Sequence, residues 1–158
     1  GGDSSVKLWN TENGQRLDTF GQPTGEQFLA MFTPDSRFIL AGGADKQVRL
    51  WHWISGNQTG INPLAQVRFV HEDEITDLAI DPSGELLATA SADRTVKVWS
   101  LPALEPLQTI GSQADVVSAL VFSADGQALH VGRMDGSTEK IALRLAKRTM
   151  HRTTPWLN

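Results

Sequence analysis

A serine, a histidine and an aspartate make a hydrolase triad, and Ser91, His71 and Asp93 supply those residue types here. Nucleophilic catalysis requires an exposed hydroxyl beside an imidazole that a carboxylate orients. Ser91 and Asp93 stand two residues apart and no Gly-x-Ser-x-Gly elbow surrounds the serine, so no catalytic residue is assigned. Metal chemistry finds as little support. His52, His71, His130 and His151 are scattered, without the spacing of a ligand set. Glu72, Asp73 and Glu74 could attract a hard cation, but adjacent loop carboxylates are more simply explained by solvation. There is no cysteine, hence no thiolate nucleophile, disulfide or cysteine-ligated metal. The glycine pairs at 1–2 and 42–43 end strands rather than open a phosphate loop, and Asn57-Gln58-Thr59 is a glycosylation acceptor only in a secretory chain. Neither cofactor nor metal is expected.

The elements that must position these residues come from the rest of the chain. Its 158 residues are 40% hydrophobic and 20% charged with a net charge of −4. That composition excludes a wholly disordered chain, and no apolar run approaches the ~18 residues of a membrane helix. The acidic balance argues against general nucleic-acid binding, which needs surplus Lys and Arg. Charge is uneven. Residues 1–132 hold 8 basic against 16 acidic side chains, whereas residues 133–158 hold 6 against 2.

A repeat organises the chain. Asp3, Asp45, Asp93 and Asp135 are spaced 42, 48 and 42 apart, and six residues after each stand Trp9, Trp51, Trp99 and Ile141. A second register agrees, with turn sequences FTPDS at 32–36, IDPSG at 80–84 and FSADG at 122–126. Between these marks the apolar period is two, which predicts strands rather than helices. Four short strands per unit of about 42 residues is the arithmetic of a propeller blade. The six extra residues of the 48-residue spacing fall in 54–64, where Gly56, Gly60 and Pro63 predict a loop.

These residues make the chain resemble the WD-repeat β-propellers from residue 1 to about 143. The resemblance implies an all-β fold of four-stranded antiparallel blades. It also implies a hydrogen-bonded tetrad of His71, Ser91, Asp93 and Trp99, with Asp3, Trp9, Asp45, Trp51 and Asp135 as the anchors of the other blades. Unit two departs from the pattern at Pro23 and Gly43, and unit four at Gln113, Arg133 and Ile141. The implied division is the last two strands of a blade at 1–20, blade two at 21–70, blade three at 71–110, a degenerate blade four at 111–150 and a basic tail at 151–158. Between three and four blades do not close a ring. The remaining blades are therefore expected upstream in the same chain, with a homodimer of half-rings as the alternative. Residues 144–150 are a candidate fourth strand for the last blade.

In this family, partners are bound by the residues that lead into the first strand and by the residue before each anchor aspartate. Here those positions are Thr24, Glu26, Glu72, Asp73, Glu74, Ala114 and Val116, together with Gly2, Ala44, Ala92 and Met134. The expected function is a non-catalytic platform that docks a protein or peptide, favouring a basic one, on an acidic rim. The alternative is the docking end of a larger kinase, protease or redox enzyme.

Overall fold

The computed structural model of the chain describes residues 3–21, 24–54 and 62–145. Among them are thirteen strands and no helix. Sheet one joins β1 (Val6–Trp9) to β2 (Arg16–Phe20). Sheet two runs from β3 (Gln27–Phe32) through β4 (Phe38–Gly43) and β5 (Gln47–His52) to β6 (Leu64–Phe69). Sheet three repeats this with β7 (Ile75–Ile80), β8 (Leu86–Ser91), β9 (Val96–Ser100) and β10 (Pro106–Ile110). Sheet four contains β11 (Val117–Phe122), β12 (Ala128–Arg133) and β13 (Thr138–Ala142). Every pairing is antiparallel between neighbours in sequence. The described residues are all-β, built of antiparallel sheets of up to four strands in the manner of propeller blades.

The sheets pack face to face through three cores. Val6, Leu8 and Phe20 of sheet one meet Ile39, Ala41 and Trp51 of sheet two. Leu40, Val48 and Leu50 of sheet two meet Leu78, Leu87 and Trp99 of sheet three. Val96 and Val98 of sheet three meet Leu120, Phe122, Leu129 and Val131 of sheet four. The central strands β4 and β8 therefore bury both faces, one toward each neighbour, and read as nearly continuous apolar runs. The seam between sheets three and four also carries polar stitches. Thr76 Oγ1 donates to the Val117 carbonyl at 2.6 Å, and the Leu120 amide donates to Asp77 Oδ2 at 2.7 Å. Burial pushes the Asp77 carboxyl above its ordinary range, against the opposing pull of the Leu120 and Leu78 amides.

Two turn types recur. The residue after each anchor aspartate, namely Ser4, Lys46, Arg94 and Gly136, has positive φ. In each case the aspartate carboxylate accepts the amide of the residue two ahead, a local bond that offsets the cost of the left-handed conformation. The other turn has positive φ at Ser36, Gly84 and Gly126. It is braced by a hydroxyl–carboxylate pair: Thr33 with Asp35, Ser83 with Asp81, and Ser123 with Asp125. Unit three exchanges the two residue types between positions and keeps the bond.

Trp9 departs from its expected role as an anchor. It is 53% exposed, whereas Trp51 and Trp99 are each 4% exposed. Those two tryptophans face the preceding sheet, Trp51 lying 5.3 Å from Phe20 ring to ring. Among the described residues no sheet lies on that side of sheet one. The inserted loop is closed at its base, where Asn62 Oδ1 accepts the Ile54 amide and Asn62 Nδ2 donates to Asp18 Oδ2. Residues 55–61 with Asn57 lie outside the described residues. So do Gly1, Gly2, Pro23 and residues 146–158, which include most of the candidate fourth strand and all of the expected basic tail with His151 and Trp156.

Candidate functional site

The chemistry-bearing residues gather where the leading loop of each sheet meets the turn between its second and third strands. In sheet three the Trp99 indole N–H donates to Thr89 Oγ1 at 3.0 Å, and Thr89 Oγ1 lies 2.7 Å from His71 Nε2. His71 Nδ1 lies 3.0 Å from both Asp93 Oδ2 and Thr95 Oγ1. Every atom is satisfied when the imidazole proton sits on Nδ1 facing Asp93 and the Thr89 hydroxyl donates to Nε2.

This corrects the expected tetrad. The hydroxyl between imidazole and indole is that of Thr89, not Ser91. Ser91 Oγ instead donates to the Asp73 carbonyl at 3.1 Å and accepts the Asp93 amide at 3.0 Å. A serine committed in this way, and not bonded to His71, has no access to triad chemistry.

The surroundings hold the relay in one protonation state. Burial drives the pKa of His71 below its ordinary 6.5, with the Asp93 charge pulling the other way. Burial alone would raise the Asp93 carboxyl. The Thr95 hydroxyl, the Glu72 amide and the His71 charge together overcome it, and its pKa lies below the ordinary 3.8.

Sheets two and four fill the same space differently. At the Thr89 position they carry Ala41 and Val131, both buried. In sheet two the anchor Asp45 pairs with the buried Arg49 guanidinium. In sheet four Arg133 takes over: its Nη2 donates to Gln113 Oε1 at 2.7 Å and pairs with Glu139. Two of the residues that break the repeat pattern in unit four, Gln113 and Arg133, are therefore bonded to each other, while Ile141 packs in the apolar core. Gly43, at the Ser91 position, has no room for a side chain, since a Cβ there would overlap the Glu26 carbonyl and lie 2.8 Å from Gln27 Cα.

The same turns fix the candidate partner residues. The Ala44 amide donates to the Glu26 carbonyl at 2.9 Å, Ala92 to Glu74 at 3.0 Å and Met134 to Val116 at 3.0 Å. Anchor carboxylates hold the loops from behind, Asp45 accepting the Thr24 amide at 3.3 Å and Asp93 the Glu72 amide at 3.0 Å. In sheet three, residues 91, 92 and 93 thus pin residues 73, 74 and 72. Thr24, Glu26, Glu72, Asp73, Glu74, Ala114 and Met134 are exposed, while Ala44, Ala92 and Val116 are half-buried. Among the described residues, no ion pair engages Glu26, Glu72, Asp73 or Glu74.

Among the described residues, His52 and His130 do not converge with His71. His52 packs its ring against Phe38 at 4.9 Å and His130 is exposed on β12. Among the described residues no three His, Cys, Asp or Glu side chains could hold a metal ion together.

Comparison with known proteins matches two stretches, 14–52 and 64–100, to the WD40 family (WD domain, G-beta repeat). The nuclear distribution protein PAC1 of Saccharomyces cerevisiae (strain YJM789) is 35% identical over 115 residues, covering 63% of this chain and 23% of that protein. A guanine nucleotide-binding protein subunit beta of Zea mays is 25% identical over 148 residues, covering 85% of this chain and 38% of that protein. A WD repeat-containing protein 91 homolog of Dictyostelium discoideum is 26% identical over 141 residues, covering 85% of this chain and 18% of that protein. The chain spans less than two-fifths of the length of each of these relatives.

Proposed function

The chain belongs to the WD-repeat family, and on that premise we propose that it is a non-catalytic interaction platform that docks a protein or peptide on the rim bearing Glu26, Glu72, Asp73 and Glu74. The observation that supports this reading most is the triple pinning of the 72–74 loop by residues 91–93. A loop held at three consecutive positions loses little conformational entropy on binding, so its carboxylates are presented to a cationic partner from a fixed backbone. Half-buried Ala44 and Ala92 leave room for a partner backbone to approach between the acidic residues. Exposed carboxylates mainly accelerate the encounter with a basic partner and set its selectivity. Exposed Met134 and half-buried Val116 offer an apolar contact beside them.

The test uses an array of synthetic peptides graded in Lys and Arg content, probed with the full-length protein and with its Glu72→Lys/Glu74→Lys variant. Binding should rise with peptide charge, weaken with salt and be lost in the variant. Peptides that bind both forms equally would remove the acidic rim from the proposal.

A further inference from the structure

The outer strand of sheet two departs from its counterparts at two positions. Val67 pairs with Arg49 as Thr19 pairs with Lys7 and Thr109 with Lys97, so these three residues hold one place in their sheets. Two residues further on, Phe69 stands where the other two chains of strands continue into Gly21 and Gly111. Val67 is 47% exposed and Phe69 is 54% exposed, and both side chains lie on the face of β6 that Arg49 and Gln47 share on β5. The same two residues offer backbone as well. The Val70 amide donates to the Lys46 carbonyl at 2.9 Å, and in that phase the hydrogen-bonding groups of Arg68 and Gln66 turn toward β5. Those of Val67 and Phe69 turn outward. Among the described residues no strand pairs with that edge. Arg68, between them, projects to the opposite face. Its guanidinium lies 5.9 Å from the Trp99 ring and only loosely engages Glu105, at 3.8 Å, with both side chains open to solvent.

We infer that the outer edge of β6 binds an extended segment of another protein. The segment adds a fifth strand to sheet two and carries an apolar residue, a carboxylate and an apolar residue in succession. The outward N–H and C=O groups of Val67 and Phe69 supply the hydrogen bonds, and their side chains supply the apolar cross-strand partners. Arg68 sets the charge. It falls in the non-hydrogen-bonded pair with the added strand, where facing side chains approach most closely, and a carboxylate opposite it completes an ion pair that Glu105 makes only at 3.8 Å. The same guanidinium excludes a second copy of this chain. Two β6 strands paired antiparallel about this point would set Arg68 against Arg68, and like charges directly opposite are destabilising. An open edge with apolar residues is otherwise a hazard, which the threonine and glycine of the sister sheets avoid. The edge selects an acidic segment and the rim a basic one, so the two readings concern separate surfaces and fail separately.

The test adds short synthetic peptides, each with a carboxylate side chain between two apolar ones, to the full-length protein and follows fluorescence anisotropy and hydrogen exchange. Bound peptide should slow exchange of the Val67 and Phe69 amides by about tenfold or more and leave those of Glu72, Asp73 and Glu74 unchanged. Lysine in place of the central carboxylate should weaken binding by about fivefold to tenfold. Methylating the peptide nitrogens that face the edge should abolish it. Val67→Thr with Phe69→Gly installs the residues of the sister sheets, so the unfolding midpoint should hold while peptide binding is lost. No binding by any of the peptides, or equal binding by the methylated peptide or the double variant, overturns the proposal. So does protection of Val67 and Phe69 that grows with protein concentration without peptide, which would assign the edge to a second copy.

Discussion

Thr89 and Ser91 stand two residues apart on the same face of β8, yet their hydroxyls serve separate networks: Thr89 bridges Trp99 and His71, and Ser91 ties down the Asp73 carbonyl. The first lies inside the core of the blade and the second at its rim.

Thr89→Val should therefore be much more costly than Ser91→Ala. The valine keeps the volume but strands the Trp99 N–H and the His71 Nε2, at about 1–3 kcal/mol for each buried group left unpaired. Ser91 is itself buried, but its partners lie on exposed Asp73 and half-buried Asp93, where water can replace the hydroxyl, so Ser91→Ala should cost about 1 kcal/mol. Urea unfolding of the two variants checks the order, and a costlier Ser91→Ala would restore Ser91 to the relay.

Trp99→Ala should destabilise by about 3–5 kcal/mol, the ordinary cost of deleting a buried aromatic. Besides its bond to Thr89, the indole packs in the core shared by sheets two and three and lies under the Arg68 guanidinium at 5.9 Å. A measured loss below about 1 kcal/mol would mean that the ring is not holding the two sheets together.

Acid should weaken the fold through both His71 and Asp93. His71 is protonated less readily in the folded than in the unfolded chain, because burial outweighs the attraction of Asp93. Its contribution is complete above the ordinary 6.5 and is lost as pH falls from there toward its depressed folded value. Asp93 is also depressed when folded, so its contribution persists to lower pH and fades only below the ordinary 3.8. Urea midpoints recorded from pH 8 to pH 5.5 should fall for the parent and stay flatter for His71→Gln. Parallel curves would contradict a neutral His71.

Glycines at neighbouring places in the blades should respond oppositely. Gly43→Ala forces a Cβ into the Glu26 carbonyl and should cost about 1–3 kcal/mol or more, as overpacking does. Gly132→Ala places its Cβ 3.5 Å from that of Ala119, an ordinary contact, and should be neutral or mildly stabilising. Thermal unfolding of both variants is sufficient. Equal losses would mean that the tight approach of β3 to Gly43 relaxes freely.

The strands and anchor turns were legible in the sequence because both are local. A period of two fixes which residues share a face, and an aspartate two residues before its hydrogen-bonded amide fixes a turn. The choice of Thr89 over Ser91 was not legible, since a two-residue slip leaves every side chain on the same face. Nor did periodicity reveal that Trp9 would be exposed, which depends on the sheet beside it rather than on its own strand. Gln113 and Arg133 looked like independent losses from the repeat, and Glu139 carried no signal in the sequence. Only their convergence in space makes them one substitute network.

The exchanged hydroxyl and carboxylate in the turn after the first strand limit how these repeats can be recombined. A crossover placed between positions 33 and 35 of unit two and the matching 81 and 83 of unit three would set Thr33 against Ser83, or Asp81 against Asp35. The first hybrid has two hydroxyls and no carboxylate, and the second sets two carboxylates against each other. Breakpoints a few residues to either side move the pair intact. Gene shuffling of these repeats should therefore yield functional chimaeras with a gap at this turn, and the two positions should change together or not at all.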